Sequence, residues 1–358
     1  MTQIQPSFLQ RTQGAKKVML LDLGFLGDTV HLLPALWMVR QAYPAAELHC
    51  AVAEHIVSLM DCVPWVNRTW GYMRYPRHAT LKENWGMITG MRHEKFDVLI
   101  NLNGSDRSSW LTFFSGARER LGRVPDDGGP PFWKRMFTDH VQHPFSEEPV
   151  FVQRCRCLEK AGFPLKPPEF HIQIPEAWRS AAQISNADAE TYFHASPFTT
   201  DDRKELPPDQ LGELVGTLAK QFPEKRWVFS CAPTERERGK MKSLLPLLPV
   251  KPWRVFNGDL SLVQIAGVIQ HSALHFCGDT GTLHLALMTG GRTVSWFWPN
   301  PGLKAWTPEG RSHRTLIGHN EAGQRFLCGI QTGDLIQAVH AVLAENKTPK
   351  TQEKERHP

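Results

Sequence analysis

The chain lacks the marks of several protein classes. No apolar run approaches the roughly 18 residues that a membrane-spanning helix needs. The first residues, MTQIQPSFLQRTQG, show no charged-then-apolar leader pattern. Cysteine is sparse: seven in 358 residues, at 50, 62, 155, 157, 231, 277 and 328. The count is odd and no CxxC pair occurs, so neither a disulfide framework nor a zinc site is expected, and reduced core thiols of a cytosolic protein fit better. No GxGxxG follows the first apolar strand, which argues against a dinucleotide oxidoreductase. No Asp-x-Asp pair stands at a strand end either. Asp126-Asp127 falls in a glycine-rich loop, and Asp201-Asp202 runs directly into Arg203-Lys204. Excess charge is scarce as well. A net charge of +5 gives no indication of nucleic acid, but it suits an anionic substrate or an anionic membrane surface.

The chain does carry an alternation of short apolar runs and helical patterns. Strands are expected near 18–23, 47–53, 66–72, 96–102, 191–195, 226–230, 254–256, 274–277 and 293–298, with a further short one within 116–123. Helices are expected over 30–43, 81–93, 110–115, 149–161, 209–222, 235–248, 261–269, 282–288 and 333–345. Strand–helix alternation with polar loops at strand ends implies parallel sheets covered on both faces. The expected class is α/β, with two Rossmann-like domains facing across a cleft. A loose arm over 1–15 precedes a first domain at 16–180 and a second at 181–332. A last helix, 333–345, is expected to pack back on the first domain, and a polar tail covers 346–358. Motion is expected about the 165–190 connector.

The most informative stretch is Leu274 to Pro301, which reads as strand, polar turn, helix, glycine stop and strand. Its turn, Gly278-Asp279-Thr280-Gly281-Thr282, combines hydroxyls with glycines at a helix start. Free N–H groups there can bind a phosphate; equally, Asp279 or Thr280 can be a plain helix cap. Gly27-Asp28-Thr29-Val30-His31 echoes this turn after the first strand. The pairing suggests two similar halves whose loops face one another. Two further polar loops follow strands, Asn101 to Ser109 and Ser196 to Pro208.

These motifs resemble the heptosyltransferases of lipopolysaccharide core synthesis, over about residues 16–345. The pieces that carry the resemblance are Leu23-Gly-Phe-Leu-Gly27-Asp28-Thr-Val-His31-Leu-Leu-Pro34, the loop from His194-Ala195 through Lys204 to Pro207, and Asp279-Thr280-Gly281-Thr-Leu-His284-Leu-Ala286. The resemblance implies a GT-B type fold and inverting transfer of a heptose from ADP-heptose to a sugar of Kdo-lipid A or heptosyl-Kdo-lipid A. It implies Asp28 as general base and Lys204 as the cation on the departing diphosphate. Donor contacts would come from Thr199, Thr200, Lys204, Glu235, Asp279, Thr280, Gly281, Thr282 and His284. Acceptor contacts would come from Gly27, His31, Arg107, Arg120 and Lys134. Each has a plainer reading: a cap for Asp28, a solvated lysine for Lys204, core histidines for His31 and His284, a first-turn acid for Glu235, and scattered surface cations for the arginines.

No cofactor and no metal would be required, because lysine and helix amides can hold the diphosphate. The implied partners are a nucleotide sugar and an anionic glycolipid, with peripheral contact at the cytoplasmic face of the inner membrane and no nucleic acid. The other readings are a transferase of this fold with another nucleotide sugar or a protein acceptor, and a nucleotide-sugar-binding protein without catalysis.

Overall fold

The computed structural model describes residues 6–74, 77–124, 132–143 and 148–345. The chain divides into two compact units, Met1–Ile172 with Lys304–Trp306, and Gln173–Leu303 with Thr307–Pro358. The first holds β1 (Lys17–Leu21), β2 (Glu47–Ala53), β3 (Arg68–Tyr72), β4 (Val98–Asn101), β5 (Glu119–Val124) and β6 (Asp139–Gln142). The second holds β7 (Tyr192–Ser196), β8 (Arg226–Cys231), β9 (Arg254–Asn257), β10 (Leu274–Gly278), β11 (Thr293–Phe297) and β12 (His313–Ile317). Every pairing within these sheets is parallel.

The sheet orders are β3-β2-β1-β4-β5-β6 and β12-β11-β10-β7-β8-β9. Read from its own first strand, each is the doubly wound Rossmann order, 3-2-1-4-5-6. Central strands buried on both faces must be apolar throughout. Val18, Met19, Leu20 and Leu21 of β1 accordingly have no exposed surface, and neither do Leu274, His275, Phe276 and Cys277 of β10. The architecture is the expected α/β fold with two Rossmann-like domains.

Two edge strands, β6 and β12, were not expected from the sequence. Both are half-exposed and mixed in polarity (Asp-His-Val-Gln and His-Arg-Thr-Leu-Ile), so neither shows the apolar run that marks a central strand. The helix expected over 30–43 is two helices, Leu26–Val30 and Leu33–Ala42. Pro34 has no N–H to give to the Val30 carbonyl, so the chain restarts with proline in the first turn of the second helix.

Three expectations about the ends of the domains change. Residues 6–15 are not a loose arm. Ser7 caps a helix at Phe8–Thr12 through a reciprocal pair of hydrogen bonds with Gln10, and Phe8 and Leu9 are buried. The Thr12 and Tyr43 hydroxyls meet at 2.6 Å. The helix at Thr332–Ala344 belongs to the second unit, with Leu335, Val339 and Val342 in the core that includes Phe193, Trp227 and Phe276. The units part at Ile172/Gln173, before the expected 180/181 boundary. The helix Glu176–Ala181 already belongs to the second unit, where Arg179 lies over Gly267 and bonds Ile174 O at 2.6 Å. The Asp126-Asp127 pair and the tail from 346 lie outside the described residues.

A buried histidine pair joins the two middle strands of the second sheet. His194 Nδ1 lies 2.9 Å from His275 Nδ1, and His194 Nε2 lies 3.0 Å from the Ser230 hydroxyl. One ring must donate and the other accept, so charging both sets proton against proton. Burial drives both pKa values down, that of His275 to about 3. Below the ordinary histidine value of about 6.5 the unfolded chain takes up protons that the folded chain refuses. Stability is therefore full above that pH and lost as pH falls from it towards 3. Each group costs up to ~1.4 kcal/mol per pH unit in that window. Urea unfolding at about pH 7.5 and about pH 5 should show a steep loss of stability, shallower in His275→Asn by up to that amount per unit. Equal slopes in the two proteins would refute the assignment.

Candidate functional site

The strand order puts the polar loops to use. In a doubly wound sheet, the connections leaving the first and fourth strands run in opposite directions and leave a crevice at their carboxyl ends. In the first unit these are the loops after β1 and β4, which carry Asp28 and Asn103 to Arg107. In the second they are the loops after β7 and β10, which carry Thr199 to Lys204 and Asp279 to Thr282. All four motif loops therefore stand at the two switch points. The two Gly-Asp-Thr stretches are not equivalent, however. Asp28 follows the first strand of its sheet and lies within the helix Leu26–Val30, whereas Gly278 ends the fourth strand of its sheet.

In the first unit a polar cavity of about 500 Å³ opens at this edge, lined by Gly24, Phe25, Asp28, Arg74, Asn103 and Arg107, among others. Asp28 is held from three sides. Its Oδ2 accepts the Phe25 N–H at 2.9 Å. Its Oδ1 lies 3.2 Å from Arg154 Nη2, and the same guanidinium donates to its main-chain carbonyl. Its side chain packs so closely on Gly24 that a Cβ there would stand 2.3 Å from the Asp28 Cβ. The glycine is what lets the carboxylate fold back over the turn.

Behind Asp28 lies a residue the sequence reading passed over. Asp22, at the end of β1, is fully buried and meets Arg154 Nη2 at 2.6 Å. Its other oxygen accepts from Gly24 N at 2.8 Å and Asn103 Nδ2 at 3.2 Å. Burial pushes the Asp22 carboxyl upward and the Arg154 cation opposes it. One buried guanidinium thus bridges an interior and a cavity carboxylate. An acid inside Val-Met-Leu-Leu-Asp-Leu was the available signal, since a buried carboxylate needs a partner. Its partner is 132 residues away in sequence, on the helix Val150–Lys160. Arg74 was also missed; it lies over the Phe25 ring at 4.2 Å and donates to Leu23 O.

In the second unit Lys204 Nζ donates to Asp279 Oδ2 at 2.7 Å, at the start of the helix Gly281–Thr289. Gly278 permits this, because a Cβ there would meet the Thr199 methyl at 2.9 Å and Lys204 O at 3.0 Å. Thr280 caps the helix, accepting from Thr282 N at 3.3 Å. The loop that bears Lys204 is pinned by charge. Asp202 pairs with Arg325 at 2.5 Å and also with Arg236 and Lys240, while Glu205 meets Lys240 at 2.6 Å and Thr199 N at 2.8 Å. Burial would raise Asp202, yet the cations outweigh it and hold its pKa at about 2.

The remaining expected residues divide. Gly27 is buried within the Leu26–Val30 helix, and Arg107 lines the cavity, 3.3 Å from His78 Nδ1. Thr200 and Glu235 are exposed, Glu235 as the first residue of the helix Glu235–Leu244. The Thr199 hydroxyl is engaged inside its own loop, with Asp201 O at 2.6 Å and Asp201 N at 3.1 Å. Arg120 is taken up by the Met136 and Ala117 carbonyls at 3.0 and 2.8 Å. Neither Arg120 nor the exposed Lys134 lines the cavity. His31 packs among Phe151, Phe170 and Trp306, and His284 is buried one turn into its helix. Among the described residues no group of three His, Cys, Asp or Glu side chains is arranged to hold a metal ion.

Removing Arg154 should leave Asp22 buried without a counter-charge. Arg154→Met is expected to cost about 3–5 kcal/mol in urea unfolding. Asp22→Asn combined with Arg154→Met should cost clearly less than Arg154→Met alone. Additive losses would show that the two side chains do not act as a pair.

Comparison with known proteins agrees with this fold. The sequence profile of glycosyltransferase family 9 (heptosyltransferase) matches residues 85–326. Lipopolysaccharide heptosyltransferase 1 of Pseudomonas aeruginosa is 24% identical over 304 residues, covering 80% of each chain. Lipopolysaccharide heptosyltransferase 3 of Escherichia coli is 19% identical, covering 90% of this chain and 98% of its own. The crystal structure of a family 9 glycosyl transferase from Veillonella parvula superposes with a TM-score of 0.81 at 18% identity, covering 96% and 99% of the two chains. The Escherichia coli heptosyltransferase WaaC with ADP-2-deoxy-2-fluoro heptose superposes with a TM-score of 0.71 at 18% identity, covering 93% of this chain and 100% of its own. With its two doubly wound sheets and a profile match over most of its length, the chain belongs to glycosyltransferase family 9, the heptosyltransferases.

Proposed function

We propose that the protein is an inverting glycosyltransferase that moves heptose from ADP-heptose to an inner-core sugar of a Kdo-lipid A or heptosyl-Kdo-lipid A acceptor. The observation that carries this reading is the Lys204–Asp279 contact of 2.7 Å at the start of the Gly281–Thr289 helix. It sets a cation beside free helix amides, which is the chemistry a departing diphosphate needs. The names of the relatives support the choice of sugar and acceptor.

In this reading the acceptor hydroxyl enters the polar cavity of the first unit. Asp28 takes its proton as the oxygen attacks the anomeric carbon of the donor. The bond from that carbon to the diphosphate breaks on the opposite face, and ADP leaves with the electron pair. The Lys204 ammonium and the amides at the helix start stabilise the charge that grows on the diphosphate oxygens, so they favour turnover over ground-state binding. Asp279 repels phosphate; its part is to orient Lys204 before the donor arrives. Arg74 and Arg107 offer cations to an acidic acceptor sugar or its phosphates. No metal takes part. The protein acts at the cytoplasmic face of the inner membrane, and among the described residues no helix is long and apolar enough to cross a membrane.

Substituting the two charged groups tests the roles separately. Asp28→Asn should lower turnover ~100-fold or more while leaving stabilisation by ADP in a thermal-shift assay intact. Lys204→Met should lower turnover about 100-fold or more and weaken stabilisation by ADP as well. Turnover retained in Asp28→Asn would remove the carboxylate from the mechanism. Stabilisation by UDP or GDP above ADP would overturn the donor assignment. Transfer should persist in excess chelator; its abolition, restored by added magnesium, would contradict metal-free catalysis.

A further inference from the structure

The first unit carries an exposed aromatic surface that the transfer chemistry does not use. Trp110, Phe113 and Phe114 lie on the helix Asp106–Phe114, and Phe132 adjoins the short helix Trp133–Met136. All four are 40–44% exposed. They touch one another: Trp110 stacks on Phe114 at 5.6 Å and on Phe132 at 5.8 Å, and Phe113 meets Phe114 edge-on at 5.1 Å. Four contiguous exposed aromatics are not scattered surface residues, and such patches mark interaction sites.

The charge around the patch selects its partner. Arg118, whose side chain is 84% exposed, lies 3.7 Å from Asp97, and Lys134 and Arg135 are exposed beside Phe132. Arg92 reaches the Phe114 carbonyl at 3.4 Å, and Arg120 lies 6.0 Å from the centre of the Phe113 ring. The nearby acids are engaged: Asp106 accepts from Trp133 Nε1 at 2.6 Å, and Glu119 from the Thr138 hydroxyl at 3.0 Å. Aromatic side chains ringed by basic ones match a bilayer interface bearing anionic headgroups. There, tryptophan rings settle at headgroup level and cations meet the surface charge. The surface is also continuous with the cavity, because Asp106 and Arg107 line the cavity from the first turn of the same helix.

We propose that the patch of Trp110, Phe113, Phe114 and Phe132, with Arg118, Lys134 and Arg135, is the surface by which this protein docks on an anionic lipid bilayer. Placed there, the helix Asp106–Phe114 sets its aromatic face in the interface and its first turn beside the acceptor cavity. A glycolipid could then present its sugars without leaving the membrane. This last consequence rests on the proposed transfer reaction, whereas docking itself does not.

The test uses the full chain and vesicles of equimolar phosphatidylglycerol and phosphatidylethanolamine that contain no glycolipid acceptor. The protein should co-sediment with these vesicles, and about 10-fold less with pure phosphatidylcholine. Combined Trp110→Ser, Phe113→Ser and Phe114→Ser should weaken binding ~10-fold or more, with thermal unfolding and transfer to a delipidated soluble acceptor unchanged. Arg118→Glu with Arg135→Glu should weaken it comparably, which keeps the test open if the triple variant folds poorly. Absence of vesicle binding, or equal binding by wild type and both variants, would overturn the proposal. So would sedimentation of the wild type as a dimer that the triple variant dissociates, since the patch would then meet a second copy. Vesicle binding by a protein that transfers no sugar would overturn the transfer reading and leave the docking surface standing.

Discussion

Opposite winding about the middle of a parallel sheet is the constraint on which the rest of this protein depends. Where the connection from one central strand turns to one face and that from its neighbour turns to the other, no helix covers the strand ends between them. Both sheets share this order, so each unit has one such gap. Every motif loop that carries chemistry borders one of the two. The loops can be polar there because the sheet's own helices leave these strand ends uncovered. The strands beneath must be apolar because they are buried on both faces, and β1 and β10 show how far that goes.

That division makes the exceptions informative. Asp22, just past the end of β1, and the His194–His275 pair, inside β7 and β10, are buried polar groups, and each finds a partner in its own way. Asp22 draws in Arg154, which then also grips Asp28, so the interior ion pair stiffens a cavity residue. A buried ion pair is weak evidence for stability but good evidence for positioning, because breaking it strands a charge. The histidines pair with each other, and His194 also with Ser230, while uncharged, and His275 Nε2 is left buried without a partner among the described residues; charging either ring is opposed, which ties the middle of the second sheet to neutral pH. In the loop beyond β7, Asp202 and Glu205 gather Arg236, Lys240 and Arg325, leaving Lys204 to face Asp279. In the proposed reaction, fixing such groups before substrate arrives reduces the reorganisation that turnover requires.

The same helix, Asp106–Phe114, serves two surroundings. Its first turn borders a polar cavity and its later turns expose aromatic rings. Nine residues are enough for both because side chains on successive turns reach surfaces several ångströms apart. Polar recognition and an apolar surface can thus stand a turn or two apart on a single element.

The sequence by itself determined the α/β class, the central strands, most of the helices between them and the positions of the polar loops. These follow from local pattern: apolar runs, caps, glycines and prolines act over a few residues. Asp28, Lys204 and Asp279 were legible as polar residues beyond strand ends for the same reason, and the resemblance to a family singled them out; that Asp28 lies within the helix Leu26–Val30 was not. Two edge strands, β6 and β12, were not legible, since their half-exposed, mixed sequences have no apolar run to announce them. Nor was the fate of each polar side chain. That Arg120 meets the Met136 carbonyl, that His31 sits among aromatic rings, and which cation meets Asp22 depend on elements apart in the chain. Only the tertiary structure decided these, because burial and hydrogen-bond partnership depend on distance in space, and separation along the sequence does not encode that distance.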